Sequence, residues 1–98
     1  MEVKKIQETL KKARPHLSES TLRSYSYNIR RVYTMIESKS FEKESKKIAA
    51  KLKDVKASVG RALVNSVIVY EKSHGRKTPK LEELKGRLDT EHTDTIKL

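Results

Sequence analysis

The stretch from about Ser58 to Ser73 constrains this chain most, because it is apolar around most of its circumference when wound as a helix. Val59, Ala62, Leu63, Val64, Val67, Ile68, Val69 and Tyr70 leave only Ser58, Arg61, Asn65 and Lys72 together on a narrow polar strip. A helix of that kind has to be wrapped by others, so it predicts the centre of a bundle. Val, Ile and Tyr also suit a strand, but the length of the stretch and the placing of Arg61 one turn before Asn65 follow the helical period.

The chain has 98 residues, enough to enclose one such core and not two. Charged residues (37%) outnumber hydrophobic ones (35%), so the helices around the centre must be amphipathic, with narrow apolar stripes. Val3, Ile6, Leu10 and Ala13 predict a first helix over about Glu2 to Ala13, ended by Pro15. Ser18 supplies cap chemistry for a second helix from about Glu19 to Ser38, with Leu22, Tyr25, Ile29, Val32, Tyr33 and Ile36 on one stripe. Phe41, Ile48, Ala49, Leu52 and Val55 predict a third helix from about Phe41 to Val55, lysine-rich outside. After a basic turn containing Gly75 and Pro79, Leu81, Leu84 and Leu88 mark a short fifth helix. The expected fold is all-α: a compact bundle of four to five short helices forming one domain over residues 1–88. Residues 89–98 read as a flexible tail or truncated linker. The predicted core includes Leu22, Ile29, Val32, Leu52, Leu63 and Val67.

Charge points to a polyanionic partner. The formal net charge is +10, and as far as Lys80 there are 20 basic residues against 8 acidic ones. Such a field concentrates nucleic acid around the chain and speeds its encounter, although a solvated, solubilising surface has the same composition. On the second helix the side away from the apolar stripe carries Arg23, Ser24, Tyr27, Arg30 and Arg31. Here guanidinium groups and a phenol suit phosphate and sugar. On the fourth, Ser58, Arg61, Asn65 and Lys72 combine a phosphate cation with residue types that read guanine and adenine edges. His74, Arg76 and Lys77 in the following turn are candidates for further phosphate contact. The lysines of the third segment, Lys46 and Lys47 among them, read as a solvated face and as controls for general charge.

Catalytic chemistry finds no constellation. The absence of cysteine removes thiolate zinc sites and cysteine nucleophiles. His16, His74 and His92 are scattered, and three isolated glycines make no phosphate loop. Tyr25, Tyr33 and Tyr70 fall on apolar stripes, where packing explains them. No catalytic residue, metal or cofactor is therefore expected. The longest strongly apolar run, Val67 to Tyr70, is far too short for a membrane span. The expected setting is intracellular and on DNA, whether in a nucleus, a nucleoid or a viral context.

Leu17-Ser18-x-x-Thr21-Leu22-x-x-Tyr25, followed by Ile29 and Arg30-Arg31-Val32-Tyr33, resembles the second-helix signature of the core-binding, SAM-like N-terminal domains of tyrosine recombinases and phage-type integrases. Ser58-Val59-x-x-Ala62-Leu63-x-x-x-Ile68-Val69-Tyr70 is similar to that family's last core helix. The matches cover about Leu17 to Ser73. The resemblance implies a SAM-like bundle that clamps one side of double-stranded DNA through its second and fourth helices. A separate C-terminal catalytic domain would then do the cutting. The lysine-rich first helix and the leucine-bearing fifth segment are not diagnostic of that family. Two rival readings are a helical protein-interaction module with an acidic partner and a basic helix-turn-helix transcription regulator.

Overall fold

The computed structural model describes residues 2–38 and 40–96, with side chains described as far as Thr90. Helix α1 (Val3–Ala13) buries Ile6 and Leu10, one turn apart, and stops at Arg14, whose backbone Pro15 pushes out of the helical region (φ −135°, ψ 74°). Ser18 opens α2 (Glu19–Ile36), its extended backbone letting Oγ accept the Thr21 amide at 3.2 Å. Leu22, Ile29, Val32 and Ile36 form the buried stripe of α2. The helix closes at Glu37 in the left-handed region (φ 53°), where a glycine is the usual occupant. Lys47 Nζ donates to the freed Ile36 carbonyl at 3.0 Å, placing a cation at the helix C-terminus.

The expected helix from Phe41 to Val55 is shorter and broken. Residues 41–44 form a turn, α3 runs Ser45–Lys51, and a single 3-10 turn covers Leu52–Asp54. The reason lies in what this turn does for the rest of the molecule. Phe41 is wholly buried, its ring edge-on to Tyr70 at 6.1 Å between centroids. Next to it, the Glu42 carboxylate accepts the backbone amides of Lys80 and Leu81 at 2.6 and 3.2 Å. Glu42 thereby caps a helix 38 residues further along the chain.

That helix is α5 (Pro79–Ile96), with proline in the first helical position, where no amide hydrogen is needed. Its leucines Leu81, Leu84 and Leu88 are buried against the bundle. The helix continues past the expected end at residue 88 through Ile96, because no proline or glycine follows Gly86 to stop it. Lys97 and Leu98, the end of the expected tail, lie outside the described residues.

Helix α4 (Ala57–Ser73) is central, as its apolar circumference requires, and touches α1, α2 and α5. The six predicted core residues all belong to one buried cluster, which extends from Ile6 to Leu88. Small hydroxyl residues let α2 and α4 approach: Ser66 Oγ donates to the Ala62 carbonyl at 2.9 Å and accepts Asn28 Nδ2 at 3.0 Å. Ser26, also buried, donates to the Leu22 carbonyl at 2.7 Å. The protein is thus a small all-α bundle with no strand among the described residues and a radius of gyration of 13.1 Å. No described helix is long and apolar enough to cross a membrane.

Candidate nucleic-acid interface

The outer face of α2 is available to a ligand. At about 100° per residue, Tyr27 and Arg31 point almost directly away from the buried stripe, with Arg23, Ser24 and Arg30 to either side. All five are exposed, and Tyr27 keeps 57% of its surface. Among the described residues none of the three arginines is held in an ion pair. Tyr27, Arg30, Arg31, Thr34 and Met35 line one shallow hollow, with an aromatic ring between cations and an apolar floor. Arg23 lies one turn before Tyr27 on the same flank and borders α1, in a hollow lined by Lys4 and Lys11 and also by Glu8 and Glu19.

The polar strip of α4 is built from similar residue types, but its cations are occupied. Arg61 Nε lies 3.1 Å from Asp89 Oδ1 and Lys72 Nζ lies 3.0 Å from Glu82 Oε1, both carboxylates coming from α5. Helical geometry puts Arg61 and Lys72 on the α5 side of the strip and Ser58 and Asn65 on the α2 side. Ser58 is exposed and Asn65 half-buried; with Arg61, Ala62 and Lys85 they line a second hollow. The Asn28–Ser66 bond ties the Ser24/Arg31 flank of α2 to this half of α4, so those parts of the two expected faces adjoin.

In the turn after α4 the three candidates differ. Arg76 Nη1 donates to both oxygens of Glu71, at 3.3 and 3.1 Å, and that carboxylate is only 2% exposed. This guanidinium compensates a buried charge and is committed to the fold. His74 sits edge-on to Tyr70, ring centroids 4.8 Å apart. Burial, then the neighbouring Glu71 carboxylate, pushes the Tyr70 phenol above its ordinary range, with Arg76 opposing. The tyrosine is therefore held neutral, as a packing residue. Lys77, also exposed, has neither an ion pair nor a ring contact among the described residues.

Four contributors went unnoticed in the sequence: Asn28, Lys85, Glu82 and Asp89. The last two carried a signal. Each follows a leucine of the Leu81/Leu84/Leu88 stripe, and they are spaced a heptad apart, which sets both carboxylates on one flank of α5. Lys47, expected to be a solvated control, instead caps α2. Among the described residues no group of three His, Asp or Glu side chains could hold a metal ion. No protein-family model, curated protein or solved structure matches the chain.

Proposed function

We propose that this protein binds double-stranded DNA, mainly through phosphate, as the binding module of a tyrosine-recombinase- or integrase-like system. On this reading it supports recombination or integration without catalytic residues of its own, and a separate C-terminal domain supplies the chemistry. The observation that carries the reading is the outer face of α2, where three arginines, unpaired among the described residues, flank an exposed tyrosine on one helix. Arginines on a fixed backbone suit phosphate because each presents several N–H donors in a planar fork. The burial of eight of the 17 residues of α4, packed among α1, α2 and α5, supports a clamp over a protruding recognition helix.

The test is a duplex titration across salt concentrations. Binding through the α2 arginines gives a log–log slope of about −2.7 or steeper, at about 0.9 per phosphate contact. A flat slope, or no binding at low salt, refutes the proposal.

A further inference from the structure

We propose that Glu82 and Asp89 act as internal stand-ins for phosphate, withholding Lys72 and Arg61 from nucleic acid so that α2 alone sets the footprint in the native chain. This inference rests on the duplex-binding reading above. Lys72 and Arg61 are eleven residues apart on α4, about 16 Å along the axis, and without their partners they would extend a phosphate-binding surface beside Asn65. Each meets one carboxylate of the antiparallel α5 instead. In the segment after Lys80 acidic residues, five, outnumber basic ones, three, against the trend of the chain as a whole.

A cation already facing a carboxylate has less to gain from phosphate, because the approaching anion must displace the carboxylate or share the cation with it. The pairs are half-exposed, with side-chain accessibilities of 48% and 45% for Arg61 and Asp89 and 48% and 50% for Lys72 and Glu82. Exposed pairs are weak, so the restraint is graded: strong polyanions and low salt overcome it first. The carboxylates are not what docks α5. Leu81, Leu84, Leu88 and the Glu42 cap hold that helix, so neutralising Glu82 or Asp89 leaves the bundle folded with its α4 cations released.

The experiment measures duplex affinity and salt slope for the intact chain and for Glu82→Gln, Asp89→Asn and the double variant, with circular dichroism to verify the fold. Glu83→Gln removes an exposed α5 carboxylate that has no ion-pair partner among the described residues, and it serves as the control for net charge. Glu82→Gln and Asp89→Asn should each tighten binding several-fold at 0.1 M salt and steepen the slope by about 0.9, and the double variant by about twice that. Lys72→Ala should cost several-fold in the Glu82→Gln background and almost nothing in the native chain. Equal gains from Glu83→Gln and Glu82→Gln, or an equal cost of Lys72→Ala in both backgrounds, would overturn the inference while leaving DNA binding intact. Failure of every variant to bind duplex would overturn both.

Discussion

The outer face of α2 and the polar strip of α4 read alike in the sequence: arginines beside small hydroxyl and amide groups, each opposite an apolar stripe. They differ in what lies next to them. Among the described residues no carboxylate forms an ion pair with the arginines of α2, whereas α5 runs along α4 and sets Asp89 and Glu82 against two of its cations. In the turn beyond, Arg76 is spent on the buried Glu71. A cation's usefulness to a ligand thus depends less on its own helix than on the helix packed alongside.

Three variants bear on this contrast. Replacing Arg23, Arg30 and Arg31 together with alanine should have the largest effect, making the salt slope shallower by about 2.7 and weakening all duplexes alike, by some hundreds-fold at 0.1 M salt. If binding survived that change, α2 would lose its priority over α4. Next in size, Arg76→Ala should act on stability, lowering it by about 1–3 kcal/mol by leaving Glu71 buried without its donor. A denaturant melt reads this directly; unchanged stability with weakened DNA binding would return Arg76 to the interface. Lys46→Ala should matter least, changing duplex affinity by less than about twofold, because a solvated lysine away from the contact face adds only to a screened field. Should its cost match that of a single α2 arginine, the contrast would dissolve into a diffuse positive charge. Lys47 is unsuitable for this control, since its loss also uncaps Ile36.

Most of the helical architecture was legible because it is local. Pro15, Ser18 and the 3.6-residue stripes of α1 and α2 act within a few residues, and the buried core residues of those stripes follow the expected pattern. The segment after α2 was read less well. Periodicity suggested one helix from Phe41, but Phe41 and Glu42 serve Tyr70 and the start of α5, some thirty to forty residues away in sequence. A periodic pattern carries no trace of such a demand. Of the candidate site, the α2 residues were placed correctly as an exposed face because an apolar stripe defines its own opposite side. Arg61, Lys72 and Arg76 were read as candidate DNA contacts, but not as residues already engaged.

By itself the sequence determined an all-helical chain with one core, centred on a helix from about Ser58 to Ser73, and an excess of positive charge outside it. Hydrophobic period, caps and breakers are set by neighbours in the chain, and net charge needs no geometry at all. Only the tertiary structure decided which positive charges remain free. That depends on Asp89 meeting Arg61 and Glu82 meeting Lys72 across an interface fixed by Leu81, Leu84 and Leu88, and Coulomb attraction at 3 Å registers who the neighbour is, not how far apart the two residues lie along the chain.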